Sequence, residues 1–519
     1  MSRKTARYVI VPDDNVFNDS METSSFRLFR AMHHRLFRAS GARPAGSVAQ
    51  GAGEGSAPAI RPRLRLLDTE VGRIRLIDSI GENEASLVCM RPEQARELQR
   101  AYPGLRVRRE LRLYPLRYGQ MDIIRKEAKP SAFRSAKELE LRCVDAASGK
   151  PVAGASVVVV LDSRRGFGIS DGVTDRDGRY RTALPAGQTR IDAVICQPFA
   201  DHWPGGAEDI AVRDKGPTEL TLSLAPIRAD FPDGLARMLA PAKKADGRGV
   251  RVAIVDTGVD PAKGLKLERG LNTTGTEPAD EWFDNGTGHG THVAGIVARV
   301  APEVALHSYR VFEKDAGGAS EFAIARAIRQ AVDDGCDLIN LSLGQGSEPV
   351  SISREVRRAR AMGAVCVAAS GNDYMSPVSY PARSGTVVAV SAGGVLDAWP
   401  EGAITGRNVA TDPAHVGNRF FARFSNIGPE VDFIGPGVGI ISWVSKTSKG
   451  VMDGTSMACP AVAGLIARLL SATPELLSAE RNQQRSDDII KMANSHAVPI
   501  GFGPEYEGAG LIDQNQGQG

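Results

Sequence analysis

Three stretches of the chain place a residue capable of acid–base or nucleophilic chemistry at the predicted end of a strand or start of a helix. In the first, the apolar run Val252–Val255 ends at Asp256, and Gly258 follows two residues later. Catalytic groups gather at the carboxyl ends of strands in a parallel sheet. An aspartate after a strand is more often a turn residue or a helix cap, so Asp256 alone is a weak indication of a site.

The second stretch holds two histidines three residues apart, His289 and His292, among small residues that suit a helix packed against a neighbour. Such a pair could bind a metal, but zinc sites need further ligands. No cysteine or other histidine lies near in sequence, and the zincin motif with a glutamate between the histidines is absent. We therefore expect one histidine to face a cleft, the other to be a core residue, and no metal site.

The third stretch, Asp453–Gly464, carries Ser456 in front of a run of small apolar residues that predicts a helix. A serine at a helix N-terminus is usually a cap. The same position suits a nucleophile, because backbone N–H groups there can stabilise an oxyanion. Together the three stretches supply a carboxylate, an imidazole and a hydroxyl, which are the components of a nucleophilic triad.

With these neighbours and in this order, the stretches resemble the subtilisin-like serine peptidases, whose triad runs Asp, His, Ser along the chain. The resemblance covers about residues 245–513, and several long motifs in the family's order make it highly specific. The matching segments are Ile254–Gly258, His289–Gly295, Asn340–Gly344, Ala369–Asn372, Phe424–Gly428, Gly435–Val438, Gly454–Ala458 and Gly508–Ile512.

The resemblance implies a role for each matching residue. Ser456 is the nucleophile, His289 takes its proton and returns it to the leaving amine, and Asp256 orients the imidazole. The Asn372 amide and the Ser456 backbone N–H form the oxyanion hole. Extended substrate is expected to bind as an added strand between two edges, with a specificity pocket beside them. The edges are Gly317, Gly318 and Ala319, and Ser342, Leu343 and Gly344; the pocket walls are Ala369, Ser370, Gly371 and Ser379.

Two departures from the family pattern bear on cofactors and specificity. The segment Ile296–Glu303 is short and lacks the asparagine-containing loop that holds tightly bound calcium in many relatives, so that calcium site is doubtful and we expect no cofactor. Asp373 at the pocket rim, the narrowing Ser379 and Glu321 at an outer subsite predict a preference for basic or polar residues before the cut.

The elements around these residues predict an α/β fold. Apolar strand-like runs alternate with helical stretches such as Glu321–Asp333, which is typical of a parallel sheet with helices on both faces. The runs are Arg251–Val255, Leu338–Leu341, Ala364–Ala368 and Val387–Val390. We assign residues 227–519 to this catalytic domain.

Residues 135–226 have a different pattern. Short alternating runs separated by turn residues, with a longer apolar run at Ala155–Leu161, predict a small all-β sandwich. The pattern resembles the carboxypeptidase-regulatory-like sandwich domains. A spacer or docking module without chemistry, with a possible protein partner, is the simplest interpretation.

Residues 1–130 predict an α+β domain in the order βαββαβ. Its helices are expected at Ser25–Arg38 and near Gln94, with a flexible insertion at 40–60. The order resembles the subtilisin propeptide, which covers the active site and assists folding. This domain carries about +9 and the remaining chain about −6, so opposite charges favour docking. The extended ending Arg112–Pro115 suits the cleft, so the chain's own N-terminal domain is its expected inhibitor.

Composition narrows the class of protein and its compartment. Hydrophobic residues are 42%, charged residues 24% and the net charge +3, which is ordinary for a globular protein and gives no reason to expect nucleic-acid binding. No apolar run approaches the length of a membrane span. Six sparse cysteines and no signal-peptide pattern predict a reduced, cytoplasmic protein, with signal-less export left open.

These observations predict a serine endopeptidase acting on polypeptides through an acyl-enzyme and made as a self-inhibited zymogen. Self-cleavage is expected near Tyr118–Pro130, which leaves the sandwich attached, because residues 113–118 are the natural occupant of the site. The alternative is cleavage at Ala242–Gly249, which removes both the N-terminal domain and the sandwich. One alternative is a peptide ligase or macrocyclase on the same fold. The other is a catalytically silent binding scaffold, although the triad and the asparagine are intact.

Overall fold

The computed structural model of the protein describes residues 5–12, 65–69, 71–80, 85–102, 104–116, 126–127, 129 and 137–513. The predicted helix at Ser25–Arg38 and the predicted insertion at 40–60 lie outside these residues. In the described part of the chain, no helix is both long and apolar enough to cross a membrane.

An antiparallel five-stranded sheet and one helix form the N-terminal body. The sheet order is β2-β3-β4-β1-β5. Side chains alternate along β1, so Tyr8 and Ile10 pack under α1 while Val9 and Val11 face the catalytic domain. The elements are β1 (Ala6–Pro12), β2 (Arg65–Thr69), β3 (Gly72–Ser79), β4 (Ser86–Met90), α1 (Pro92–Ala101) and β5 (Leu105–Arg109).

A short strand, β6 (Arg112–Pro115), leaves this body and enters the catalytic domain. Glu110 stays beside the N-terminal sheet, where its backbone N–H donates to the Arg7 carbonyl. The chain therefore passes directly from the sheet into the cleft described below.

Two sheets that share one apolar core form the next unit. Their orders are β13-β12-β9-β10-β7 and β11-β8-β14. The apolar run in β9 is buried on both faces, because Val157 and Val159 fill the core while Val158 and Val160 pack outward against Ile404. The strands are β7 (Lys126–Glu127), β8 (Lys137–Asp145), β9 (Ser156–Asp162), β10 (Phe167–Val173), β11 (Arg179–Leu184), β12 (Arg190–Gln197), β13 (Gly205–Ala211) and β14 (Thr218–Leu224).

The domain bounds 1–130, 135–226 and 227–519 stay predictions. One strand pairing differs from the predicted extent of the first domain. Lys126–Glu127 pairs with Phe167–Gly168 and therefore joins the sandwich rather than the N-terminal body. Two core cysteines, Cys143 and Cys196, contact each other across the two sheets with their sulfurs 3.0 Å apart.

An eight-stranded, mainly parallel sheet with helices on both faces forms the catalytic domain, as the sequence predicted. Its order is β16-β17-β15-β19-β21-β22-β23, with β24 also paired to β22. Along β15, Val252 and Ile254 pack under one helical layer and Ala253 and Val255 under the other. The strands of this sheet are β15 (Arg251–Asp256), β16 (Leu267–Asn272), β17 (Ala305–Arg310), β19 (Leu338–Leu341), β21 (Val365–Ala369), β22 (Val388–Val395), β23 (Arg419–Phe421) and β24 (Phe433–Pro436).

The helices and the short strands position the loops around the sheet. The helices are α2 (Gly234–Met238), α3 (His289–Val300), α4 (Glu321–Asp333), α5 (Val350–Ala361), α6 (Thr455–Ser471), α7 (Pro474–Leu477), α8 (Gln483–Ser495) and α9 (Pro504–Glu507), with a 3-10 turn at Ile404–Asn408. The remaining strands are β18 (Ala319–Ser320), β20 (Leu343–Gly344), β25 (Ile440–Trp443), β26 (Lys449–Met452), β27 (Ala497–Val498) and β28 (Leu511–Ile512). Gly464 of α6 lies against Val300 of α3, where a side chain would not fit, so the two helices pack closely.

Candidate active site

Asp256 is the last residue of β15 and is fully buried. Its Oδ1 accepts a hydrogen bond from the Thr257 backbone N–H at 2.7 Å and lies 2.7 Å from Nδ1 of His289. A carboxylate accepts only, so Nδ1 carries the proton of a neutral imidazole. Asp256 therefore leaves Nε2 of His289 as the unprotonated, basic nitrogen.

His289 is the first residue of α3, and the residues before it hold the helix start in place. Gly288 has a φ of 71°, a left-handed conformation that favours glycine. The Asp284 carboxylate accepts from the Gly288 backbone N–H at 2.7 Å and from the Thr257 hydroxyl at 2.7 Å. Among the described residues, Nε2 of His289 has no hydrogen-bond partner, so its lone pair is available to a reacting group.

His292 is the core histidine that the sequence predicted. Its Nε2 donates to the Ile440 carbonyl oxygen at 3.1 Å, and the ring is fully buried. Burial, with a smaller contribution from His289, lowers the pKa of His292 to about 3. His292 is therefore neutral and fixes α3 to β25. No group of three or more His, Cys, Asp or Glu side chains in the described residues is placed to hold a metal.

Ser456 lies in the first turn of α6, and its backbone and side chain point to different partners. The backbone N–H donates to the carbonyl oxygen of Leu116 at 3.0 Å. The hydroxyl donates to the Ser342 carbonyl oxygen at 2.9 Å instead of to His289. Proton transfer to Nε2 of His289 thus requires rotation of the Ser456 side chain.

Asn372 follows β21 and donates a second hydrogen bond to the same carbonyl, from its Nδ2 to the oxygen of Leu116 at 2.5 Å. Its own Oδ1 accepts from the Thr455 backbone N–H at 3.0 Å and from the Thr455 hydroxyl at 2.8 Å. These two bonds fix which way the amide faces. Two donors therefore converge on one carbonyl oxygen, which is the geometry of an oxyanion hole.

β6 lies between the two edges that the sequence predicted for a substrate groove. It pairs antiparallel with β18 at Leu113 and with β20 at Tyr114 and Pro115. The Leu116 backbone N–H donates to the Ser342 carbonyl at 3.1 Å. Of the predicted edge residues, Gly318 contributes a carbonyl that accepts from the Arg112 guanidinium at 2.6 Å, and Gly317 lies just before the paired residues.

Leu116 lies beside the edge residue Gly344, which also adjoins the predicted pocket wall at Ser379. A side chain on Gly344 would collide with Cδ1 of Leu116, so the leucine side chain lies against this edge. Leu116 packs against the apolar cluster that includes Ala369. Ser370 and Gly371 continue the wall, and the Ser379 backbone N–H donates to the Ser370 carbonyl at 2.8 Å.

The two acidic groups on which the expected basic preference rested lie in different surroundings. Asp373 is exposed, and its Oδ2 accepts from the Asn426 amide at 3.0 Å. The same amide nitrogen donates to Oγ of Ser379 at 3.3 Å, so the Asp373 carboxylate stays near the predicted pocket wall. Glu321 is 1% exposed beneath the N-terminal sheet, where it accepts a hydrogen bond from Ser351, and burial raises its pKa to about 8. Glu321 is therefore buried and is not a free charge at an outer subsite.

Sequence reasoning did not single out two residues that shape this site. Leu116 lies in the segment 113–118 that was expected to occupy the cleft, but its contact with the oxyanion donors was not predicted. Asp453 is buried three residues before Ser456 and accepts from the Asn408 amide at 2.7 Å and the Gly439 N–H at 2.5 Å. Burial raises the pKa of Asp453 to about 7. It anchors the loop that leads to Ser456.

Comparisons with known proteins found relatives of this chain. Subtilisin BL from Lederbergia lenta is 34% identical over 255 residues, which are 47% of this chain and 85% of that protein. An alkaline protease from Alkalihalobacillus alcalophilus is 34% identical over 327 residues, 59% of this chain and 79% of that protein. A crystal structure of a lanthipeptide protease aligns with a TM-score of 0.42 at 21% identity, covering 53% of this chain and 88% of that one.

The profile of the Subtilase family matches residues 247–519, which are just over half of the chain and include all four residues Asp256, His289, Asn372 and Ser456. Subtilisin-like relatives align over about half of the chain or more at about one-third identity. The chain belongs to the subtilase family and is a subtilisin-like serine peptidase.

Proposed function

We propose that the protein is a serine endopeptidase made as a zymogen, which cuts its own chain between Leu116 and Arg117 and is then inhibited by residues 1–116. The observation that carries the proposal is the position of Leu116. Its carbonyl oxygen accepts from both oxyanion donors, and β6 pairs with both edges of the groove. A substrate about to be cut has these contacts.

The chemistry follows from the residues around that carbonyl. Ser456 Oγ, rotated toward His289, attacks the carbonyl carbon while Nε2 takes its proton. The negative charge moves to the carbonyl oxygen, where Asn372 and the Ser456 N–H stabilise it. As the C–N bond breaks, His289 returns the proton to the leaving amine and an ester remains on Ser456.

Water completes the reaction at the same centre. His289 takes a proton from the attacking water, the ester bond breaks, and Ser456 recovers its hydrogen as the carboxylic product leaves. Asp256 stabilises the positive imidazole in both halves of the cycle. Because this carboxylate is buried next to Nδ1, its effect on the imidazolium is little screened by water.

Contacts away from the cleft support the inhibitory role of residues 1–116. Val9, Val11 and Leu87 of the N-terminal sheet pack against Phe322 and Val350 of the catalytic domain. The Arg354 guanidinium donates to the Pro12 carbonyl, and Ser320 donates to Glu110. A product held by a sheet face as well as by the cleft leaves slowly, which is the property of an inhibitor.

One electrostatic contact differs from the expectation of a basic cover on an acidic enzyme. Across this interface the acidic partner is Asp78 of the N-terminal body and the basic partner is Arg326 of α4. The described ion pair therefore has the opposite polarity to the net charges of the two parts. Apolar packing and strand pairing carry the docking in the proposal.

The test compares the full chain with Ser456→Ala, using Ser478→Ala, an exposed serine of the distant α7 segment, as the matched control. We expect the full chain and the control to yield two fragments, with a new N-terminus at Arg117, and Ser456→Ala to stay intact. Adding residues 1–116 back to the processed enzyme is expected to inhibit it. A new N-terminus elsewhere, or cleavage by Ser456→Ala, contradicts the proposal.

The same processed enzyme distinguishes hydrolysis from peptide ligation. A model peptide cut in the presence of an added amine is expected to give carboxylic products by mass. Predominant amide products would instead favour a ligase or macrocyclase.

A further inference from the structure

The leaving side of the groove is the part that receives the residues after the cut. It lies on the opposite side of Ser456 from β6. His289 protonates the leaving amine in the proposed mechanism, so those residues must pass beside the start of α3. The segment that ends at Gly288 and the hairpin β25–β26 lie there. β25 packs against α3, and β26 runs through Asp453 into Ser456.

The sandwich docks on this same hairpin. The Asp201 backbone N–H donates to the Lys449 carbonyl at 2.7 Å, and Trp203 is buried against Ile441 and Val451. A second anchor joins the sandwich to the catalytic domain where the Ile404 N–H donates to the Pro204 carbonyl at 3.1 Å. The loop 198–204 is therefore held against the leaving side by contacts on both of its halves.

Phe199 lies in this loop, next to the residue that precedes the catalytic histidine. A Cβ added to Gly288 would lie 3.2 Å from Cζ of Phe199 and 2.6 Å from the Val444 carbonyl oxygen. Although the ring touches the active-site loop, Phe199 is 47% exposed. A large apolar side chain left exposed beside a reaction centre is typical of a binding surface.

Phe283 is a second exposed aromatic residue near the same hairpin. It is 41% exposed, and Lys446 of the hairpin turn lies 5.5 Å from its ring centroid. Its carbonyl lies against Gly258, two residues after Asp256. Phe199 and Phe283 thus adjoin the hairpin and the segments that carry two members of the triad.

We propose that Phe199, supplied by the β-sandwich, forms with Phe283 an apolar subsite for a large apolar side chain of the substrate on the leaving side of the cut. The occupant is the polypeptide segment that continues the extended strand from the groove past Ser456. The sandwich is then part of the substrate-binding surface of the processed enzyme. This inference rests on the proposed peptidase function.

The position of the self-cleavage site agrees with this role. Lys126–Glu127, which follows Leu116 in the chain, pairs with Phe167–Gly168 of the sandwich. Cleavage after Leu116 therefore leaves the sandwich joined to the catalytic domain and Phe199 in place beside Gly288.

The test uses the self-processed chain from which the released residues 1–116 have been removed, and its Phe199→Ala variant prepared in the same way. The matched control is Val173→Ala, which removes a 58% exposed apolar side chain from the same sandwich, away from the hairpin. Three kinds of substrate share the residues up to a cut leucine. The first ends there in a p-nitroanilide, and the second continues with serines. The third is a set of peptides that continue with serines and carry a single leucine at the first, second or third position after the cut.

We expect the wild type to cleave one member of the leucine set about tenfold better than the serine peptide, a gain of the size that partial burial of an apolar side chain produces. Phe199→Ala is expected to lose that gain with no change on the p-nitroanilide, while Phe199→Leu and Val173→Ala keep it. A gain that survives in Phe199→Ala, no gain in the wild type, or an equal loss on all substrates overturns the inference. Failure of the wild type on every substrate instead contradicts the peptidase function.

Discussion

The side-chain amide of Asn372 donates to the carbonyl oxygen of Leu116 at 2.5 Å, although the two residues are 256 positions apart in the chain. The Ser456 N–H donates to the same oxygen. An outside substrate needs the same two donors, so the cleft cannot bind one productively until Leu116 leaves it.

Asn372→Ala is expected to lower kcat strongly while changing KM little, because the amide bonds most strongly to the oxygen when it carries charge. In subtilisin, the type member of this family, removing the corresponding donor costs about 10²–10³ in kcat, and we expect a similar loss. Steady-state kinetics on a leucine p-nitroanilide measures this. Asn482→Ala, which removes the N-cap of α8, is the control and should leave kcat unchanged. A loss below about tenfold in Asn372→Ala contradicts the assignment.

The specificity pocket is expected to prefer leucine to lysine before the cut, because Leu116 stands at the position before the proposed cut and Glu321 is buried. A peptide library that varies this position measures the preference. Leu116→Lys in the full chain should slow self-cleavage, whereas Leu116→Met, which keeps a similar volume, should not. Equal or better cleavage after lysine would contradict the leucine preference and support the basic preference expected from the sequence.

Docking of residues 1–116 is expected to weaken as the pH rises, because Glu321 is buried in the docked state and lies against Glu110 and Leu111 of that segment. The pKa of this carboxyl is about 8 in the docked state, against an ordinary value of 4.5. The docked form therefore binds a proton that the undocked form releases between these values. The contribution of Glu321 to docking is therefore most favourable below about pH 4.5 and is lost as the pH approaches 8.

The activity recovered when the processed chain is diluted at pH 5, 6, 7 and 8 measures this effect. We expect release of residues 1–116 to increase along the series in the wild type and to vary much less in Glu321→Gln. Glu268→Gln, at an exposed position of β16, should behave like the wild type. A Glu321→Gln variant with the wild-type pH dependence would assign the effect to another group.

Arg326→Ala is expected to weaken the docking of residues 1–116, because Arg326 pairs with Asp78 across the interface and both side chains are partly buried. An ion pair of this kind contributes about 1 kcal/mol, or several-fold in affinity, and salt screens it. Arg358→Ala is the control: Arg358 has the same 29% side-chain exposure but pairs with Asp333 inside the catalytic domain. The affinity of residues 1–116 for the enzyme, measured by inhibition titration, should differ between low and high salt for the wild type. For Arg326→Ala the affinities at the two salt concentrations should be alike.

The family and the α/β architecture could be inferred from the amino-acid sequence alone, and the same motifs predicted the site residues Asp256, His289, Asn372 and Ser456. Each of these residues stands beside the end of a strand or the start of a helix, and each is surrounded by a long local motif. Local patterns also predicted strands of the sheet and the helix Glu321–Asp333. Burial of one or both faces of an element produces a characteristic spacing of apolar residues in the sequence.

Which distant segments meet at the site could be learned only from the folded structure. There, Leu116 lies on the oxyanion donors, the Ser456 hydroxyl turns toward Ser342, Glu321 is buried under the N-terminal sheet and Phe199 lies beside Gly288. These contacts join segments that are far apart in the chain, and they depend on how complementary surfaces pack. No local pattern of residues encodes that packing, so the sequence could not specify it.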